Sequence, residues 1–210
     1  MRMRWPSLGR HVLALAAVCL ASAAQAADLT FVVKDAGGKP VADAVVIADA
    51  PGRAARPPAR FVINQKDMVF VPYVLVVPVG STIEFGNLDP YRHHVYSFSP
   101  AKKFELKLFG QGETRPVRFD RAGLVSIGCN IHDSMQAFVQ VVDTPFARKS
   151  DDTGRVVLRG VPAQVRQVRV YHPLLRAPGN QMIVAVNASS DATVPVTVRL
   201  RRPAPMRHDY

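Results

Sequence analysis

Short runs of apolar and β-branched residues recur along the chain, with Gly, Pro, Asn and Asp between them. Such runs are typical of β-strands, and no long stretch repeats with the period of a helix. The clearest runs cover residues 29–33, 82–85, 95–98, 124–127 and 138–142. Many short strands at regular intervals predict an all-β sandwich or barrel.

Composition divides the chain into several parts. Residues 34–40 read Lys-Asp-Ala-Gly-Gly-Lys-Pro and lie between two apolar runs, so they predict a β-hairpin. Residues 51–60 are rich in Pro and Arg and predict a linker. The strand pattern is densest in residues 61–145, and a second punctuated region follows it. The last residues, 203–210, predict a flexible tail.

The first 26 residues predict a secretory signal peptide. A basic start is followed by an apolar run over residues 12–20 and by the small-x-small sequence Ala24-Gln25-Ala26, which fits a cleavage site. No later segment has about 18 uninterrupted apolar residues, the length that spans a bilayer. We therefore expect export to the periplasm and a mature protein without a membrane span.

Charge and cysteine content narrow the functions further. The chain of 210 residues has a net charge of +11, so its surface either attracts an acidic redox partner or a membrane face or is simply solvated. Export argues against a nucleic-acid partner. Removal of the signal also removes Cys19 and leaves Cys129 as the only cysteine. An internal disulfide is then impossible, and a lone cysteine is buried, bridged to another molecule or bound to a metal.

Cys129, His132 and Met135 recur every third residue between two predicted strands. A thiolate, an imidazole and a thioether suit copper, and the blue-copper set of two His, one Cys and a weak axial Met needs one more histidine. Residues 87–95, at the start of another predicted strand, contain both His93 and His94. Either histidine has the chemistry to complete the set.

These residues resemble the cupredoxins, and most of all the amicyanin-like domains, which share the Cys-x-x-His-x-x-Met spacing. The resemblance covers about residues 61–145. The family's upstream motif, an Asn followed after five residues by a His, implies His93, six positions after Asn87, as the first ligand. The implied site therefore holds one type 1 copper ion through His93, Cys129, His132 and Met135. His94 stands where the family commonly has Asn, and an outer or surface role is favoured for it over ligation.

The flanking segments resemble the two parts of another small β-sandwich, of the carboxypeptidase-regulatory or transthyretin-like and Ig-like kind. The resemblance rests on "DAGGKPVADAVV" in residues 28–50 and "DDTGRVVLRGVP" in residues 146–202. The implied organisation is a discontinuous flanking sandwich with a cupredoxin-like Greek-key sandwich, residues 61–145, inserted into it.

The combination also resembles exported cupredoxin-domain proteins that are named methylamine-utilisation proteins. It implies a monomeric carrier of single electrons between a dehydrogenase donor and a cytochrome-like acceptor, in association with amine oxidation. The alternative is a copper-binding or copper-delivery protein, in which the metal is the cargo. A copper enzyme is disfavoured because the sequence has no His-x-His motif, and zinc is disfavoured by the methionine.

Overall fold

A computed structural model describes residues 26–50, 52–132 and 134–202. Over these residues the chain forms sixteen β-strands, and its one helical element is a 3-10 turn. The predicted all-β sandwich class is confirmed. The signal-peptide prediction, apart from Ala26, and the predicted tail lie outside the described residues. In chain order the elements are β1 (Ala26–Asp35), β2 (Val45–Ile47), β3 (Arg60–Lys66), β4 (Val69–Val71), β5 (Val74–Pro78), β6 (Ser81–Asn87), β7 (His93–Ser99), β8 (Lys102–Phe109), β9 (Thr114–Phe119), β10 (Gly123–Gly128), β11 (Gln136–Val142), β12 (Ala147–Lys149), β13 (Arg155–Pro162), β14 (Gln167–Tyr171), the 3-10 turn (Pro178–Asn180), β15 (Gln181–Ala185) and β16 (Ala192–Val198).

Each of the five clearest apolar runs lies inside an observed strand. In β1, buried side chains alternate with partly exposed ones, as the two-residue period of a strand requires. Leu29, Phe31 and Val33 point inward and are fully buried. Burial of each such side chain stabilises the fold by about 1.5–3 kcal/mol.

The first of two pairs of sheets encloses an apolar core built from both ends of the described chain. One sheet has the order β13-β1-β16, and the other has the order β12-β2-β14-β15. β1 is antiparallel to β13 and parallel to β16. Side chains of both sheets, among them Phe31, Val46, Leu158 and Val170, belong to one buried cluster.

The hairpin predicted around residues 34–40 is confirmed only as a turn. The backbone N–H of Asp35 donates to the carbonyl of Lys39, and Lys34 forms a bridge with Pro40. The next strand, β2, does not pair with β1, because β13 and β16 occupy both edges of β1. After the turn the chain therefore crosses into the opposite sheet.

The second pair of sheets is formed by the central part of the chain. Its sheets have the orders β5-β11-β10-β7-β8 and β4-β3-β6-β9. Inward side chains such as Ile63, Phe85, Phe119 and Val139 fill the space between them. Cys129 and Met135 belong to the same buried cluster, which shows that this core extends to the loop between β10 and β11.

A third, smaller cluster joins the two sandwiches. It contains Val45 and Ile47 of β2 together with Val74 of β5 and Val142 of β11. The outer face of one sandwich therefore packs on the outer face of the other. In the part of the chain that the structure describes, no helix is long and apolar enough to cross a membrane.

Candidate metal centre

Two loops meet at one end of the central sandwich. β6 ends at Asn87 and β7 begins at His93, so the connection between the two sheets spans only residues 88–92. β10 ends at Gly128, immediately before Cys129, and β11 begins immediately after Met135. β7 and β10 are neighbours in one sheet, where Gly128 pairs with Tyr96. The ends of these strands therefore bring residues from distant parts of the sequence together.

His93, Cys129 and His132 converge on one point. One ligand atom from each residue lies within 4.8 Å of the others. The Cys129 Sγ atom is 3.8 Å from Nδ1 of His132, and the centroids of the two imidazole rings are 4.9 Å apart. His93 and Cys129 are buried, whereas His132 is partly exposed. The three ligand atoms are therefore close enough to one another to bind the same metal ion.

Met135 lies beside this group. Its side chain is buried in the same apolar cluster as Cys129, and both residues line one cavity of about 450 Å³. The backbone N–H of Met135 donates to the carbonyl of His132 over 3.0 Å, which closes the loop into a turn. The imidazole and the thioether thus stand at the two ends of this turn, and the thiol lies three residues before it in the same loop.

His93 has one occupied ring nitrogen and one without a partner. Nε2 lies 2.8 Å from Oδ2 of Asp89. Nδ1 is buried, and among the described residues it has no hydrogen-bond partner. Because a buried polar atom without a partner costs about 1–3 kcal/mol, this nitrogen is the atom of His93 that most needs a ligand.

Asn87 fixes the loop that carries His93. Its side-chain Nδ2 donates to the carbonyls of Tyr91 and Phe109 over 2.8 and 3.0 Å. Its Oδ1 accepts from the backbone N–H of Asp89 over 2.9 Å. The side chain of Asn87 is fully buried, and its amide uses both its donor and its acceptor groups on backbone groups in and beside the loop. This explains physically why an asparagine stands six residues before the histidine.

The pKa values at this end of the sandwich are shifted in a consistent way. Burial raises the pKa of Asp89, but hydrogen bonds from the His93 ring and from the backbone N–H groups of Met68 and Asp67 outweigh it, so the pKa lies below its ordinary value. Burial and the neighbouring His93 lower the pKa of His132. A neutral imidazole is the form that binds a metal ion, so the lowered pKa of His132 favours binding.

The other histidines lie apart from the group. His94 points elsewhere, with Nε2 2.9 Å from Oε1 of Glu105, and it is buried rather than on the surface. His172 is buried as well, and its Nδ1 accepts from the backbone N–H of Leu174 over 3.1 Å. His208 and Asp133 lie outside the described residues.

Gly128 allows close packing next to Cys129. A Cβ atom at this position would lie 2.9 Å from the Tyr96 ring, closer than side chains tolerate. The ring of Tyr96 and the exposed ring of Phe98 line the cavity that Cys129 and Met135 also line. An aromatic wall therefore stands on one side of the sulfur atoms.

Comparisons with known proteins found similarity in structure only. No protein-family model and no curated protein matches the chain. Solved structures do match, and several of them are cupredoxins. The chain resembles cupredoxins.

Three of these structures illustrate the resemblance. Cu-containing nitrite reductase from Thermus scotoductus SA-01 is 27% identical with a TM-score of 0.39, and the match covers 46% of this chain and 25% of that chain. The chain thus spans about a quarter of that enzyme's length. A purple cupredoxin from Nitrosopumilus maritimus is 21% identical with a TM-score of 0.36, and the match covers 39% of this chain and 99% of that chain. Amicyanin from Paracoccus versutus is 17% identical with a TM-score of 0.38, and the match covers 46% of this chain and 97% of that chain.

Sequence reasoning overlooked Asp89 and Tyr91. The Tyr91 ring lies with its centroid 5.2 Å from that of His93 and 6.0 Å from that of His132. Asp89 is buried although it belongs to a short loop. The sequence signal for Asp89 was an acidic residue four positions before a histidine at the start of a strand. This pattern is too common in surface turns to identify Asp89.

Proposed function

We propose that this chain is an exported type 1 copper protein that carries single electrons. One copper ion would be held by Nδ1 of His93, Sγ of Cys129, Nδ1 of His132 and the thioether of Met135. The observation that carries the proposal is the convergence of three ligand atoms within 4.8 Å at the end of a β-sandwich. The unpartnered, buried Nδ1 of His93 supports it independently.

The chemistry of the donor set favours copper. Two imidazoles and one thiolate with a nearby thioether are the ligands of blue-copper electron-transfer sites. Zinc also binds Cys and His, but its usual fourth ligand is another Cys, a His, a carboxylate or water. Met135, buried next to Cys129, therefore supports copper over zinc.

The surroundings of the ligands suit electron transfer. Copper supplies a change of one electron between Cu(II) and Cu(I). Cys129 and Met135 are anchored directly at the ends of β10 and β11 and lie in a packed core, so the ligand geometry is held nearly constant and little reorganisation accompanies a transfer. Burial of His93, Cys129 and Met135 keeps water away. It also favours a resident metal over an exchangeable cargo.

The partly exposed His132 provides a route for the electron to the surface. Its neighbour Ile131 is 42% exposed and Tyr91 is 40% exposed, so an apolar rim surrounds the route. We propose a redox protein as the partner at this rim, with a dehydrogenase as donor and a cytochrome-like protein as acceptor. In this role the chain is a monomeric carrier, not an enzyme, and it works in the periplasm beside an amine-oxidising system.

We further propose that residues 28–50 and 146–202 make one discontinuous domain and that residues 61–145 make the copper domain. Strand pairing supports this division, since β1 and β2 pair only with strands that follow β11. On this division, the chain enters and leaves the copper domain next to the apolar cluster that joins the two sandwiches.

A visible spectrum tests the proposal. The purified apoprotein is titrated with Cu(II), and one equivalent is expected to produce an intense absorption that reduction bleaches and reoxidation restores, because the thiolate of Cys129 transfers charge to Cu(II). Cys129→Ser is expected to abolish this absorption and to cost the apoprotein about 1–3 kcal/mol of stability, since a hydroxyl replaces a buried thiol. A colourless wild-type protein with one bound copper ion would contradict the proposal.

A further inference from the structure

We propose that Asp89 is a positioning residue that fixes the His93 ring with its proton on Nε2 and the lone pair of Nδ1 directed at the metal ion. The inference rests on the proposed function, because it assigns a second layer of interactions to the same site. It adds a carboxylate to a site whose candidate ligands are two imidazoles, a thiolate and a thioether.

The contact between the two side chains determines which nitrogen carries the proton. Oδ2 of Asp89 lies 2.8 Å from Nε2 of His93, and both side chains are almost completely buried. An ionised carboxylate can only accept hydrogen bonds, so Nε2 must donate. A neutral imidazole has one N–H and one lone pair, which leaves the lone pair on Nδ1. That is the atom for which the described residues supply no hydrogen-bond partner.

Asp89 is itself held in place by three backbone contacts. Oδ1 accepts from the N–H of Asp67 over 2.7 Å, and Oδ2 accepts from the N–H of Met68 over 3.1 Å. Its own N–H donates to the buried Asn87. Asp67 and Met68 have φ values of 54° and 57°, and this left-handed turn between β3 and β4 points both N–H groups at the carboxylate. The carboxylate therefore cannot rotate away from His93.

The consequence for the site is electronic as well as geometric. A carboxylate on the far nitrogen of a ligating histidine fixes the ring and increases the basicity of the ligating nitrogen. A stronger donor favours Cu(II) over Cu(I), so Asp89 is expected to lower the reduction potential. Because the pair is buried, salt screens this effect only weakly.

A purely structural role is the alternative, in which Asp89 ties the β3–β4 turn to the loop and His93 is unaffected. Glu105 provides a matched control, since its carboxylate forms the same kind of contact with the neighbouring His94 over 2.9 Å. His94 lies outside the group of three. Glu105→Gln and Asp89→Asn each remove one charge beside one of two adjacent histidines. Each replaces a carboxylate, which only accepts hydrogen bonds, with an amide that can also donate to the ring nitrogen.

The first measurement needs no metal. Nitrogen-15 NMR of the apoprotein at pH about 8, where an ordinary imidazole is neutral, reports the tautomer of each histidine. We expect His93 to be protonated on Nε2 in the wild type and in Glu105→Gln, and to shift toward the Nδ1-protonated form in Asp89→Asn. A wild-type His93 protonated on Nδ1 overturns the inference, even if Asp89→Asn does not fold.

The second measurement uses the copper-loaded protein. We expect Asp89→Asn to weaken Cu(II) binding by about 10–100-fold and to raise the reduction potential by more than Glu105→Gln does. Equal shifts in the two variants, with an unchanged tautomer, overturn the inference. If the wild type binds no copper, the proposed function fails and the positioning of a ligand fails with it, whereas a blue wild type with unaffected Asp89→Asn overturns the positioning role alone.

Discussion

The two sandwiches of this chain treat buried polar groups in different ways. In the flanking sandwich the hydroxyl of Ser150 donates to the carbonyl of Val41 and that of Thr144 donates to Ala48, so each group serves the fold. At the end of the central sandwich, Nδ1 atoms of two buried histidines and Oε1 of Gln65 have no hydrogen-bond partner among the described residues. Three of the five unpartnered buried side-chain atoms in the described residues thus lie near the candidate metal centre, whereas the flanking sandwich has one, the hydroxyl of Tyr171.

The contrast teaches that convergence, rather than an unpartnered atom alone, marks a site. Tyr171 and Arg56 also carry buried polar atoms without partners in the described chain. Neither residue belongs to the group of ligand atoms that could hold a metal ion. At His93, the unpartnered nitrogen meets Cys129 and His132. Only there, among the described residues, would a single ion bind several ligand atoms at once.

The largest expected effect is a loss of stability when an aromatic side chain is truncated in either core, and it distinguishes the two cores by their effect on copper binding. Phe31→Ala in the flanking core is expected to lower the free energy of unfolding by about 3–5 kcal/mol and to leave the visible spectrum of the folded protein unchanged, because Phe31 packs only in the flanking cluster. Phe109→Ala in the central core, equally buried, is the matched variant and is expected to weaken copper binding as well, because Phe109 pairs with His93. Urea unfolding and copper titration measure the two effects. Loss of the blue absorption in folded Phe31→Ala would show that the cores are not independent.

A smaller effect compares two methionines. Met135→Leu is expected to retain the blue absorption and to raise the reduction potential, because a hydrocarbon replaces a weak donor that favours Cu(II). Met182→Leu, in a side chain that packs on the flanking core, is expected to leave the potential unchanged. Each substitution keeps the side-chain volume and costs less than about 1.5 kcal/mol. Voltammetry of both variants checks the pair, and equal potentials would remove Met135 from the ligand set.

The smallest effect concerns pH. Burial lowers the pKa of His172 below its ordinary value, although Asp43 and the backbone of Ala42 oppose the shift. The unfolded chain therefore binds this proton more tightly, and the stability that the neutral ring contributes is complete above the ordinary pKa and is lost as the pH falls through the lowered one. The apoprotein is expected to lose stability between pH about 7 and 5. In His172→Gln part of that loss should vanish, and an identical pH profile would exclude this histidine as a cause.

Local patterns predicted the strands well. Of the four candidate ligands, His93, Cys129 and His132 each place one ligand atom within 4.8 Å of the others. The runs at residues 82–85 and 124–127 became strands because apolar residues between turn signals can hardly do otherwise. Cys129, His132 and Met135 are close in sequence, so the one short loop between β10 and β11 carries all three. His93 was expected as the first ligand from the Asn-x5-His motif of the cupredoxins that the sequence resembles, and the hydrogen bonds of Asn87 give that spacing a physical meaning.

Features that depend on distant pairing escaped the sequence. The turn at residues 34–40 looks like a hairpin, but the edges of β1 are taken by β13 and β16, which follow more than a hundred residues later. The role of Asp89 likewise requires the β3–β4 turn, whose N–H groups reach it from about twenty positions away. No local pattern contains either partner.

The third apolar cluster, which includes Val45, Val74 and Val142, limits how the two sandwiches can move relative to each other. The backbone passes between the sandwiches twice, and the two passages are tied together where Thr144 donates to the carbonyl of Ala48 over 2.8 Å. Two connecting segments beside an apolar contact restrict rotation of one sandwich against the other more than a single linker does. A protein bound to the flanking sandwich would consequently lie at a fixed distance from His132 and in a fixed orientation.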